Sequence, residues 1–250
     1  MMGIHFYLFV LGLILGSFFN VVGLSVPANN PFANRRSACP SCGRTLTFFE
    51  LIPVISYMLQ DGKCRGCKAR ISLLYPVVEL LTGVLFASAP IFLGWSGELW
   101  VAWTLISLFM IILVSDVAYM LIPDKILLFF TVIFMVLRVS FPLSPWWDSI
   151  FGAAVGFSLL LLIAVVSKGG MGGGDIKLFA VIGFALGMKM VLLSFLFACF
   201  YGAFLGIIGL LTGILKKKTL IPFGPYIVFG TLTAYFWGDS ILYWYVTFLR

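Results

Sequence analysis

The chain has 250 residues, of which 62% are hydrophobic and only 10% charged, whereas soluble domains are about 45–50% apolar and about 25% charged. This excludes a water-soluble globule, and the lack of ten-residue segments of alternating polarity excludes an outer-membrane barrel. The net charge of +7, from 16 basic and nine acidic residues, reports orientation in such a chain rather than nucleic-acid binding. No nucleic-acid partner is expected. The expected fold is an all-α polytopic membrane protein in a lipid bilayer.

Residues 3–26 read as a first membrane helix. They lack a basic leading region and a small-residue cleavage site, so the helix is expected to stay. A polar segment follows at 27–73, and then a multi-helix membrane region to residue 250. This gives three parts: 1–26, 27–73 and 74–250. Crossing the hydrocarbon takes about 20 apolar residues. Apolar runs place eight spans near 3–26, 74–95, 99–119, 126–142, 150–167, 176–190, 191–215 and 226–248, with the join between the sixth and seventh poorly marked. If segment 27–73 is cytoplasmic, eight spans put 13 of the 16 basic residues inside. These are Arg35, Arg36, Arg44, Lys63, Arg65, Lys68 and Arg70, then Lys125, Lys168, Lys177, Lys216, Lys217 and Lys218. Only Arg138, Lys189 and Arg250 fall outside. The bias supports both the count and the orientation.

Segment 27–73 holds four of the five cysteines. Cys39-Pro-Ser-Cys42 and Cys64-Arg-Gly-Cys67 lie 21 residues apart, a spacing that suits one tetrahedral zinc ion on four thiolates. Gly43 and Gly66 are expected to ease the two turns. A cytoplasmic location is reducing and argues against disulfides. Four protein ligands leave no open position, so the zinc is expected to be structural, with a contribution to substrate docking as the alternative reading. Cys199, alone in an apolar run, reads as packing.

Each ionisable residue within a membrane run is a functional candidate. Asp116 falls near the cytoplasmic end of the third span, and Asp175 opens the sixth after the run 169–174 of Gly and Met. The third span runs inward and the sixth outward, so both carboxylates arrive at one depth. Two carboxylates meeting at an apolar edge share a proton. One is then a base on water and the other a donor to a carbonyl, the aspartic-protease arrangement. Gly172 and Gly174 lack Cβ atoms and would let a peptide backbone approach. Other readings stand beside this one: Asp175 as a helix-terminus carboxylate, Asp116 as part of an ion-coupled transporter. Asp124 follows Pro123 and reads as an N-cap or a support of the site. Glu79 reads as recognising a cationic part of a substrate or cofactor, or as pairing with a loop arginine. Asp239 looks structural.

Gly172-Gly173-Gly174-Asp175 is a GxGD motif. Together with Asp116, Ile122-Pro123-Asp124 and Ile176-Lys177-Leu178, it resembles the type IV prepilin leader peptidases. Gly16-Ser17-Phe18-Phe19-Asn20, the paired CxxC segment, Tyr75-Pro76 with Glu79-Leu80-Leu81-Thr82-Gly83, and Pro222-Phe223-Gly224-Pro225 match in order, so the resemblance covers the chain. Presenilin-type proteases share GxGD but lack the cysteine segment and Ile-Pro-Asp. The resemblance implies an endopeptidase of the bacterial cytoplasmic membrane that cuts type IV prepilins or pseudopilins after a glycine, at the cytoplasmic face. Asp116 and Asp175 would be catalytic, with Gly172, Gly174, Asp124, Glu79 and Lys177 binding or supporting. Many members also methylate the new N-terminus with S-adenosylmethionine. That activity rests on the resemblance, since no nucleotide-binding fingerprint is present. The rival from another class is a proton- or ion-coupled transporter, for which no inverted repeat is visible.

Overall fold

The computed structural model describes residues 2–28, 37–168, 170–213 and 221–248. The expectations for Arg35, Arg36, Gly169, Lys216, Lys217, Lys218 and Arg250 fall outside these residues. The described residues are helical, with no strand beyond two isolated bridges. The helices are α1 (Met2–Ser25), α2 (Ile55–Leu59), α3 (Leu74–Leu93), α4 (Glu98–Tyr119), α5 (Asp124–Ser140), α6 (Asp148–Val166), α7 (Gly173–Leu186), α8 (Met188–Leu211) and α9 (Gly224–Phe248), with one 3₁₀ turn at Phe48–Leu51. They form two compact units, Met1–Ala118 and Tyr119–Arg250.

In the first unit α1 and α3 run antiparallel. Small residues bring their backbones close, as membrane helices require where lipid offers no hydrophobic drive. A Cβ on Gly12 would lie 2.7 Å from the Gly83 Cα, and one on Gly16 would lie 2.8 Å from the Glu79 Cα. His5 bonds the Ala87 carbonyl at one end of the pair, and Asn20 donates to the Tyr75 carbonyl at the other. α4 packs antiparallel to α3, where Trp103 Nε1 donates to the Phe86 carbonyl. It runs parallel to α1, where Gly23 meets Val114. α4 is the most enclosed candidate span, with 72% of its apolar window buried.

In the second unit the directions follow from paired ends. Gly152 of α6 meets Gly183 and Gly187, and Gly156 meets Phe179, so α7 returns antiparallel along α6. α5 lies parallel to α7. Lys177 and Asp124 pair at their starts, and Arg138 Nε donates to the Ala185 carbonyl at their ends. Gly230 of α9 rests on Ala198 and Ser194 of α8, and Lys189 pairs with Asp239, so α9 returns along α8.

Each expected span corresponds to a helix, but only α1, α3, α4, α6 and α8 are long and apolar enough to cross a membrane by themselves. α5 has 17 residues and α7 only 14, about 25 and about 21 Å at 1.5 Å per residue, against about 30 Å of hydrocarbon. α9 is long enough, but Thr231, Thr233, Asp239 and Ser240 dilute its apolar run. The unmarked join between the sixth and seventh runs is Gly187, whose φ of +84° ends α7 and starts α8. That left-handed backbone is open to glycine and strained for other residues.

Candidate active site and cysteine centre

The two cysteine pairs form matching turns. Cys39 N–H donates to the Arg44 carbonyl and Gly43 N–H to the Cys39 carbonyl; Cys64 N–H donates to Ala69 and Lys68 N–H to Cys64. A short bridge closes each turn, Ala38 with Thr45 and Lys63 with Arg70. The fifth residue of each turn needs a positive φ. Gly43 supplies it at +70°, but in the second turn the position is Lys68, at +59°, and not Gly66. Gly66 serves instead as a seat for Arg44, since a Cβ there would lie 3.2 Å from the Arg44 Nε.

The four thiols are free and lie within 4.8 Å of one another, with Cys39 and Cys67 Sγ atoms 3.8 Å apart. Zinc–sulfur bonds of about 2.3 Å at tetrahedral angles put ligand sulfurs about 3.8 Å apart, so the donor set fits zinc. Backbone N–H groups of Cys67 and Gly66 bring the Cys64 thiol down to about 6, and those of Cys42 and Ser41 lower Cys39. The Ala69 N–H favours the Cys67 thiolate too, but burial and bonds from Cys42, Cys39 and Cys64 outweigh it and push the thiol up to about 11. Four thiols in one place cannot all ionise unaided, and a divalent cation removes that conflict.

A carboxylate that the sequence reading passed over holds this centre. Glu50 is buried and ion-paired to Arg44. It also accepts from the Thr47 N–H and hydroxyl, each at 2.9 Å. The Thr47 N–H first, and then Arg44, bring Glu50 down to about 2. The signal was available: Thr47-Phe-Phe-Glu50 has the capping-box form.

Glu79, near the start of α3, is also buried. Its Oε2 accepts the Val54 N–H at 2.8 Å, and Ser17 of α1 bonds the same carboxylate. Among the described residues, neither of these partners is a loop arginine. Val54 holds φ +61°, an outlier for a β-branched residue, and its N–H is committed to Glu79. Glu79 and Glu50 both line a cavity of about 540 Å³ between the cysteine turns and the facing ends of α1 and α3.

Asp116 belongs to the first unit. It is buried in the last turns of α4, next to the fully buried Ser115 and near the level of Gly23. Asp175 belongs to the second unit and is the third residue of α7, half-buried. The glycines before it have distinct roles. A Cβ on Gly174 would lie 2.8 Å from the Ile122 Cβ, so the GxGD turn packs on the Ile-Pro-Asp turn. A Cβ on Gly172 would lie 3.2 Å from the Asp175 Oδ2, and one on Gly173 would meet nothing within 4 Å. Asp124 does not occupy the N-cap, which is Pro123; it is the first residue of α5. Both of its carboxylate oxygens lie 2.8 Å from Lys177 Nζ, so Asp124 ties α5 to α7. Asp239 pairs with Lys189, a structural use.

Residues 10–92 match the Bacterial Peptidase A24 N-terminal domain, and residues 103–207 match the Type IV leader peptidase family. The chain belongs to the type IV leader peptidase family. It is 48% identical over 239 residues to a prepilin leader peptidase/N-methyltransferase of Bacillus subtilis, covering 96% of both chains. It is 34% identical to the protein of the same description in Aeromonas hydrophila, covering 96% of this chain and 92% of that one. With the Pseudomonas aeruginosa protein it is 33% identical, covering 96% and 92%. No solved structure matches it. The N-terminal match runs from within α1 through the cysteine centre and most of α3, and the peptidase match runs from within α4 into α8.

Proposed function

We propose that this protein is a membrane aspartyl endopeptidase that removes the leader of type IV prepilins or pseudopilins at the cytoplasmic face of the bacterial inner membrane, and then N-methylates the new N-terminus. Family membership over nearly the full length of named relatives carries this reading, and it favours hydrolysis over ion transport for the buried carboxylates.

Asp116 and Asp175 are proposed as the catalytic pair. One carboxylate takes a proton from a water as that water attacks the scissile carbonyl, and the other, protonated, donates to the carbonyl oxygen. The amide nitrogen then leaves as an amine with the proton returned from the pair. Gly172 leaves the approach to Asp175 narrow but open. Gly174, with Asp124 and Lys177, holds the turn that carries it. Glu79 serves the cationic part of a ligand. Cys39, Cys42, Cys64 and Cys67 would hold a zinc ion that fixes two chain segments without taking part in hydrolysis.

Eight crossings would bring both aspartates to cytoplasmic ends. The eight crossings are supported in turn by the antiparallel course of α7 along α6 and of α9 along α8. The functional division 1–26, 27–73 and 74–250 is kept on the same grounds. The decisive experiment is cleavage of a prepilin in liposomes. Asp116→Asn and Asp175→Asn should each lose at least about a thousandfold in turnover while staying folded in the membrane, the scale on which removing a catalytic group acts. Near-normal turnover in either variant would remove the aspartyl mechanism.

A further inference from the structure

We infer that the cavity between the cysteine turns and the facing ends of α1 and α3 binds S-adenosylmethionine, with buried Glu79 against its sulfonium and Arg70 against its carboxylate. This rests on the methyltransferase half of the function proposed above and assigns it a place.

The cavity, about 540 Å³, falls within the 300–1,000 Å³ that small-molecule sites occupy. Its wall combines four features. Glu79 is a buried carboxylate. Its two donors among the described residues, the Val54 N–H and Ser17, do not fill a carboxylate's four acceptor sites. Glu50 also lines the cavity, but Arg44 and Thr47 already occupy both of its oxygens. Arg70, exposed, lies at the loop side. Tyr57 and Tyr75 also line the cavity, and aromatic residues suit an adenine face or a cation.

The positions of the two charges give the direction. A buried carboxylate needs a counter-charge that gives up its water cheaply. A sulfonium, with its charge enclosed by three carbons, meets that need better than a strongly hydrated ammonium. The donor's own carboxylate and ammonium stay hydrated and belong at the open side, where the Arg70 guanidinium can grip the carboxylate bidentately. The backbone is arranged around Glu79: Val54 holds a left-handed φ, uncommon for its residue type, and its N–H fixes the carboxylate. Strain held at one point that orients one side chain marks a functional constraint. When bound, the donor supplies a methyl group to the neutral amine of the cleaved product: the carbon–sulfur bond breaks with its electrons returning to sulfur, a carbon–nitrogen bond forms, and the amine's surplus proton passes to water.

The test is binding, measured by equilibrium dialysis on the purified, zinc-loaded full chain in detergent, with S-adenosylmethionine and with S-adenosylhomocysteine. The two ligands differ at sulfur, charged in one and neutral in the other. Glu79→Gln should weaken S-adenosylmethionine at least tenfold and the homocysteine analogue less than threefold. Arg70→Gln should weaken both by a similar factor, since both carry the carboxylate, and its exposed position keeps this arm readable if Glu79→Gln fails to fold. Equal losses of the two ligands in Glu79→Gln, no change in Arg70→Gln, or no binding to the unaltered protein would each overturn the assignment. Cleavage of a prepilin by the unaltered protein is measured alongside. Cleavage without donor binding sinks this inference alone, and donor binding without cleavage sinks the peptidase reading alone.

Discussion

Gly43 and Lys68 occupy the same place in two matching cysteine turns, and only one of them is suited to it. A left-handed φ costs a residue with a Cβ roughly 1–2 kcal/mol. Lys68→Gly should therefore raise the melting temperature of the zinc-loaded cysteine centre or slow its loss of metal to a chelator. Gly43→Ala should do the reverse, although nothing lies within 4 Å of the added Cβ. Glu50 acts on the same centre from one step away. Glu50→Gln keeps the shape but removes the charge that holds Arg44, and zinc affinity should fall about tenfold, the usual scale for a residue supporting a metal's ligands. The pH sign follows from its depressed value. The stabilisation by Glu50 is fully present above the ordinary carboxylate range near about 4.3 and is lost as pH falls through about 2. A circular-dichroism titration of the metal-free protein between those values should show a transition that Glu50→Gln lacks. The pairing of Glu50 with Thr47 could be read from their spacing. The pairing of Glu79 with Val54 could not, because no sequence signal announces a left-handed valine.

The helices were legible as elements because apolar runs of this length have few alternatives, and their ends agree with the structure to within a few residues. Their individual reach was not legible. α7 lies between the charged turn at Asp175 and Gly187, and only the positive φ at Gly187 shows where it stops. Asp124 was misplaced by one residue for a related reason: Pro123 takes the N-cap, which frees the carboxylate to meet a lysine 53 residues away, a separation that local patterns cannot see. The glycine run was legible as unusual, but its division of labour is a matter of packing. Gly174→Ala should force Ile122 aside at roughly 1–3 kcal/mol, the range for an added methyl in a filled space. Gly173→Ala should be neutral or slightly stabilising, since the site is open and alanine favours a helix. Thermal unfolding in detergent separates the two, and equal effects would remove the Gly174–Ile122 contact as the reason for the motif's second glycine.

At the scale of the whole molecule, the catalytic proposal depends on whether the short helices cross. If α5 and α7 both cross, the turn between α5 and α6 faces outward and the turn between α6 and α7 faces the cytoplasm, carrying Asp175 to the side where Asp116 ends the third span. If neither crosses, α6 and α8 still cross, the two turns exchange sides, and the aspartates end on opposite faces. α6 has 19 residues, about 28 Å at 1.5 Å per residue. α7 lies along it from Phe179, opposite Gly156, to Gly187, beside Gly152 and Asp148. The chain thus returns to the level at which α6 began, although α7 itself is short. α5 accompanies it in parallel, fixed at both ends by Asp124–Lys177 and Arg138–Ala185. Two exposed serines report on this. With Cys199 replaced by serine, Ser144→Cys between α5 and α6 should react with an impermeant maleimide added outside spheroplasts, and Ser167→Cys after α6 should react only once the membrane is opened. The opposite pattern would place Asp175 at the outer face, and no water could then be shared between it and Asp116.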